Sequence, residues 1–138
     1  MARPRRVKRV LNCLPSQEQE QDWSIAHAKD AGVMAAAPPI PARKDLREPW
    51  WKISDQGSTG SCVGWASADA VLRWHFVKAG RLAKTDRLAV RFQWMAAKET
   101  DAFTSQPTTF IDSDGTSLKA ALDIARRYGA VKANVLPF

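Results

Sequence analysis

The segment from Ser61 to Ala79 restricts the possible folds most, because it is long, repeats apolar residues at helical steps and is followed by a glycine. Gly80 can adopt the left-handed backbone conformation that commonly ends a helix. A helix that is apolar around most of its circumference is buried at the centre of a domain. The sequence therefore predicts a central, buried helix with a main apolar stripe of Val63, Ala66, Ala70, Trp74 and Val77 and a second set of Trp65, Leu72 and Phe76.

Two further helices follow along the chain. Their apolar spacing predicts one helix over about Leu88–Glu99 and another over about Ser117–Tyr128, where Gly129 ends the second. A short helix is expected around Trp23–Met34. Because strand signals are few, the fold class that we predict is mostly α.

The first 40 residues form a leader in this prediction, with residues 41–138 as one folded unit. Three prolines among residues 38–41 fix φ and remove amide donors, so this stretch is expected to be an extended, polyproline-like linker. The segment Asp45–Ile53, which contains Leu46 and two tryptophans, is expected to run extended over a core. The chain of 138 residues fits a single domain.

The net charge of +7 is concentrated at the N-terminus. Five basic residues lie within the first ten positions, whereas residues 11–138 carry 16 basic and 14 acidic side chains. A compact basic face is therefore not implied, and we interpret the start of the chain as a solvated basic arm. Binding of nucleic acid through this arm is the weakest of the functions considered.

The compartment is predicted from segments that the sequence lacks. Asn12 and Pro15 interrupt the apolar residues after the basic start, so a secretory signal is not expected, and no run reaches membrane-spanning length. Cys13 and Cys62 are the two cysteines, and Cys13 lies in the leader, far from any segment predicted to pack. The lack of a disulfide framework fits a reducing compartment, and we predict a cytoplasmic protein.

The stretch from Asp55 to Cys62 contains the candidate catalytic residues. Gly57 and Gly60 permit tight turns, and Cys62 then opens the most buried helix. Free amides and the helix dipole at a helix N-terminus favour a thiolate over a thiol. Gln56 can direct its side-chain amide to the same place, where it and the Cys62 backbone amide would form an oxyanion hole.

These residues resemble the signature of the papain-like cysteine peptidases, in which a Gln-Gly pair precedes Gly-Ser-Cys at this spacing. The resemblance extends over about residues 41–138. It includes Asp45-Leu46-Arg47, Lys52-Ile53-Ser54-Asp55, Leu88 to Ala96 and Gly115-Thr116-Ser117-Leu118.

The resemblance implies the left-hand, helical lobe of a papain-like α+β fold and hydrolysis of peptide bonds in peptide or protein substrates. Cys62 would be the nucleophile and Gln56 the oxyanion donor. Gly60, Ser61, Gly115 and Thr116 would line the substrate cleft. Neither a cofactor nor a metal is implied.

Three departures from the family pattern stand out. Val63 occupies the position after the nucleophile, where the family has tryptophan, and Thr59 stands where many members have a disulfide cysteine. The family's histidine and asparagine follow the cysteine by about 130–150 residues, and 76 residues follow Cys62. His75 lies about 20 Å along the same helix, and His27 lies in the leader. We therefore expect the β-rich right-hand lobe to be absent and the chain to be inactive alone.

Several alternatives stay open. The chain could be a non-catalytic module that binds a peptide or partner, and Cys62 could be a buried structural cysteine. The leader could be a propeptide that covers the cleft. The expected partners are a substrate, the missing lobe or a second chain that supplies it, and further copies that associate through the exposed face of the lobe.

Overall fold

The structure, a computed structural model, describes residues 11–16, 19–34, 41–100 and 115–138. These residues form two compact units. The small unit comprises residues 19–34 and 41–51, and the main unit comprises residues 11–16, 52–100 and 115–138. The predicted domain boundary at residue 40 stays a prediction. The predicted basic arm and almost all of the proline-rich linker lie outside the described residues.

The small unit contains a 3₁₀ turn at Gln19–Gln21 and helix α1 at Ile25–Asp30. The Ser24 hydroxyl accepts from the His27 amide at 3.3 Å, and His27 Nδ1 accepts from the Ser24 amide at 3.1 Å. This reciprocal cap fixes the start of α1. The helix is shorter than predicted, and its flanking residues Trp23 and Val33 are both 73% exposed.

A continuous helical segment begins the main unit's core. It consists of α2 at Cys62–Gly64, a π-helix at Trp65–Leu72 and α3 at Arg73–Lys78. Its two ends confirm the predicted helix, and Gly80 has the expected positive φ of +68°.

The buried face of this helix differs from the predicted stripe. The other seven residues of the two predicted sets are buried or partly buried, whereas Ala66 is exposed, so the burial predicted for Ala66 is wrong. The prediction assumed 3.6 residues per turn, whereas the π-helix widens the turn and shifts the residues that face inward. Besides Val63 and Ala68, the inward residues include the polar Ser67, Asp69 and Arg73.

An ion network makes this polar burial possible. Arg73 Nη1 lies 3.3 Å from Asp69 Oδ1, and Arg87 Nη2 lies 2.6 Å from Asp69 Oδ2. Arg73 also donates to the carbonyl oxygens of Asp86 and Lys84, at 2.9 and 3.1 Å. Each buried charge therefore has a partner, as the cost of desolvation requires.

Two more helices complete the core, α4 at Val90–Thr100 and α5 at Leu118–Tyr128. Both agree closely with the predicted spans. The Ser117 hydroxyl caps α5 by accepting from the Ala120 amide at 3.2 Å, and Gly129 ends it at φ +81°. One buried cluster joins α2, α4 and α5 through Val63, Ala97, Ala121 and Ile124, and another comprises Ala68, Leu82, Leu88 and Val90.

A short parallel sheet was not predicted. Strand β1 at Cys13–Leu14 pairs with strand β2 at Thr116–Ser117, in a register that places Cys13 opposite Thr116. The described residues are otherwise mostly helical, which confirms the coarse fold class.

The segment Asp45–Ile53 is only partly buried. Residues 51–56 have no regular structure, and Ile53, at the end of the segment predicted to run extended over a core, is 92% exposed, whereas Trp50 and Trp51 are partly buried. Leu46 in the small unit is 51% exposed.

No helix within the described ranges has the length and apolar character needed to cross a membrane.

Candidate functional site

Residues 55–62, here called the Cys62 turn, are stabilised by hydrogen bonds among themselves. Gly57 has a φ of +62°, and its amide donates to Asp55 Oδ1 at 3.0 Å. Thr59 Oγ1 donates to the Gln56 carbonyl oxygen at 2.7 Å and lies 2.6 Å from the Ser61 hydroxyl. Because these bonds close over two or three residues, the turn is largely specified by its own sequence.

Cys62 is the first residue of α2, and its thiol is free. The helix starts with a bond from the Trp65 amide to the Ser61 carbonyl oxygen, at 3.0 Å. One side of Cys62 packs against the cluster that contains Val63 and Ala121, while the residue stays partly exposed. The thiol is thus held on a rigid helix and remains accessible.

The predicted oxyanion donor is part of the turn. Gln56 is partly buried, and its Nε2 donates to the Thr59 carbonyl oxygen at 3.0 Å. A side-chain amide carries two N–H groups, so this bond uses one of them. The role of Gln56 at an oxyanion stays a prediction.

The predicted peptide-binding segment, Gly115–Ser117, is buried and is here called the β2 edge. It holds the backbone of residues 11–16, here called the leader strand, through the β1–β2 pairing. A Cβ at Gly115 would overlap the backbone carbonyl of Asn12, so the leader strand lies directly on this glycine. The Lys119 amide also donates to the Ser16 hydroxyl at 3.4 Å.

The leader strand places Cys13 opposite the buried Thr116 of the β2 edge. The pKa of the Cys13 thiol is raised first by loss of part of its water shell and second by the charge of Cys62. The expectation that Cys13 lies far from any packed segment is therefore wrong. The sequence around Cys13 does not predict this position. Leu11 and Cys13 are exposed, and only the pairing with residues distant in sequence places them.

Neither histidine is placed to assist Cys62 by its local contacts. His75 is exposed on α3, thirteen residues along the same helical segment, with its ring centroid 5.0 Å from that of Trp74. His27 uses Nδ1 in the cap of α1. Among the residues that the structure describes, no group of three or more His, Cys, Asp or Glu side chains could hold a metal ion.

Sequence reasoning missed both the leader strand and the polar network beneath the helix. Asp69, Arg73 and Arg87 stabilise the helical segment that carries Cys62, and a charge pair at i and i+4 was the one available signal for the first two. Comparison of the chain with protein-family models, with curated proteins and with solved structures gives no match.

Proposed function

We propose that the chain is the cysteine-bearing part of a papain-like thiol peptidase. The observation that supports this most directly is an extended peptide, the chain's own leader strand, paired with the β2 edge, which leads into the helix α5 whose core cluster Cys62 packs against. A peptide substrate would add to the same edge through main-chain hydrogen bonds. Gly115 matters here because a side chain would exclude a backbone from that place.

Cys62 would attack the carbonyl carbon of the peptide bond. It lies at the start of a long helical segment, and its packing against the cluster that contains Val63 limits its movement. In this proposal the Cys62 amide and Gln56 stabilise the oxyanion, with Gly60 and Ser61 shaping the wall beside them.

The remaining chemistry requires a general base and acid. The contacts of His27 and His75 assign both to other parts of the chain, so the proposal requires an imidazole from a further lobe or a second chain. The chain alone would then hydrolyse peptides negligibly. Exposed apolar residues on α5 offer a surface for such a partner or for another copy, namely Leu118, Leu122 and Tyr128, at 46%, 48% and 71% exposure.

A peptide carrying an electrophile tests this proposal on the full chain. Labelling of Cys62 by a peptidyl epoxide is expected to exceed labelling by iodoacetamide, relative to Cys13 in the same molecule, because the peptide can bind the β2 edge. Mass spectrometry of tryptic peptides measures both cysteines. Equal preference of the peptidyl reagent for Cys13 and Cys62 would count against a peptidase site.

A non-catalytic peptide-binding module is the second candidate. It is favoured by the engagement of Gln56 within the turn and by the position of His75, thirteen residues along the helical segment from Cys62. This module would bind an extended peptide equally well in Cys62→Ala, without preferential labelling of Cys62 in the unaltered chain. Adding a partner that restores hydrolysis would exclude it.

A further inference from the structure

Cys13 and Cys62 are the only two cysteines of the chain, and both are free thiols within the described residues. Cys13 is exposed and Cys62 is partly exposed, so oxidants can reach both. The two residues come from the leader strand and the Cys62 turn, which the fold brings to the same helix, α5.

Backbone contacts position the leader strand at the start of α5. The register sets Cys13 opposite Thr116, which lies just before the cap of that helix, and Ser16 accepts from the Lys119 amide in its first turn. The contact between Asn12 and Gly115 fixes the strand from its other side. Cys13 is thus held near the N-terminus of α5 by neighbours on both sides.

Packing positions Cys62 near the same place. It lies against the buried cluster that includes Ala121, in the first half of α5, and Ile124 near its middle. The strand register and the core packing thus bring both cysteines to the N-terminal part of α5. The charge of Cys62 is also the second cause of the raised pKa of Cys13, which agrees with this placement.

We propose that Cys13 and Cys62 are a redox pair, and that oxidation joins them in a disulfide that fixes the leader strand across the nucleophile. With hydrogen peroxide as oxidant, the Cys62 thiolate attacks one peroxide oxygen and gives a sulfenic acid and hydroxide. The Cys13 sulfur then attacks the Cys62 sulfur, the S–O bond breaks, and water leaves with the Cys13 proton. In total, two thiols lose two electrons and two protons, and one peroxide becomes two waters.

The bond would act as a latch on the candidate site. It removes the thiolate that a peptide would react with, and it prevents the leader strand from leaving the β2 edge. Reduction by a dithiol reverses both effects. The regulatory meaning rests on the proposed peptidase function, whereas formation of the disulfide does not.

The test is oxidation of the full chain at low protein concentration with a small excess of hydrogen peroxide, followed by alkylation and trypsin digestion without reductant. The expected product is a monomer in which the peptides 10–29 and 53–73 are linked through Cys13 and Cys62. Dithiothreitol should restore both alkylatable thiols. Cys13→Ser should instead accumulate sulfenic or sulfinic acid at Cys62, because no second thiol resolves it.

Other products would overturn the proposal. Linkage only between chains, seen as dimers on a non-reducing gel, would show that the two thiols do not meet within one molecule. Two thiols that both stay alkylatable after oxidation, or irreversible over-oxidation of Cys62 in the unaltered chain, would do the same. Each of these results leaves the peptidyl-epoxide test standing, so the two proposals fail separately.

Gly115→Ala provides a second, independent test that keeps both thiols. Its Cβ would displace the Asn12 carbonyl, so most of the intramolecular disulfide should be lost at equal oxidant. Leu11→Ala is the matched control, since Leu11 is 77% exposed and its truncation should leave the yield unchanged. Equal yields in the unaltered chain and Gly115→Ala would show that the strand pairing does not bring the thiols together.

Discussion

The Cys62 turn and the leader strand differ in the sequence distance over which they are stabilised. The turn closes through bonds between residues two or three positions apart, among them the paired bonds of Gln56 and Thr59. The leader strand is stabilised by residues about a hundred positions away, and Ser16 and Lys119 are 103 apart. Both regions belong to the proposed site, yet one is stabilised by local contacts and the other by distant ones.

This difference predicts that the two regions open at different free energies. A local turn forms with little loss of chain entropy and keeps its shape when distant contacts break. A two-residue strand with exposed neighbours opens at a lower free energy than the core. A peptide could therefore replace the leader strand on the β2 edge while the Cys62 turn stays folded.

Loss of the buried carboxylate of Asp69 should have the largest effect, because it pairs with Arg73 and Arg87 and supports the helical segment that follows the Cys62 turn. Asp69→Ala leaves Arg73, which is 4% exposed, without its anionic partner. The free energy of unfolding should fall by about 3–5 kcal/mol, measured by urea denaturation. Asp123→Ala, which removes an exposed ion pair with Arg126, should cost less than about 1 kcal/mol. Equal losses in the two variants would contradict this interpretation.

A side chain added at Gly64, in α2, should have the next largest effect on the free energy of unfolding. A Cβ at Gly64 would lie 2.7 Å from Trp94 Cβ and 2.9 Å from the Val90 carbonyl oxygen, so α4 must move. Gly64→Ala should lower the unfolding free energy by about 1–3 kcal/mol. Ala66→Ser, at an exposed position two residues on, should change it by about 0.5 kcal/mol or less. A Gly64→Ala variant as stable as the unaltered chain would contradict the close packing of these helices.

A conservative change within the Cys62 turn tests whether the turn and the β2 edge are independent. Thr59→Val keeps the shape of the side chain and removes its bonds to Gln56 and Ser61, at a cost of about 1 kcal/mol. Amide hydrogen exchange should speed up in residues 57–62 and stay unchanged at Thr116–Ser117. Ser58→Ala, at an exposed neighbouring position, is the control. Equal acceleration at the β2 edge would show that the two regions are not independent.

The smallest expected effect is on the pH dependence of Cys13 alkylation. Since its pKa is raised, fewer thiolates are present at a given pH, so the inflection of alkylation by iodoacetamide should lie above that of a free cysteine. Folding favours the protonated thiol, and this contribution to stability is lost as the pH rises through the folded-state pKa.

Cys62→Ser provides the control for this titration. The inflection of Cys13 should move to lower pH in the variant without reaching the free value, because burial is the larger cause. An inflection unchanged by Cys62→Ser would show that the two thiols do not interact.

The sequence alone determined the three helical segments of the main unit and, closely, their ends. Gly80 and Gly129 adopt positive φ where helix termination was predicted, and the Cys62 turn follows from its own glycines and short polar side chains. These features depend on residues within one or two turns of each other, which is the range over which a sequence pattern carries information.

Tertiary structure decided which residues face inward and what lies on the β2 edge. The helical segment buries Asp69 and Arg73 and exposes Ala66, because pairing with Arg87 and packing against other helices outweigh the helical period. Cys13 reaches Thr116 only because the chain folds back onto a distant segment. Pairing of this kind depends on which backbone edges the folded core leaves available, and no local pattern contains that information.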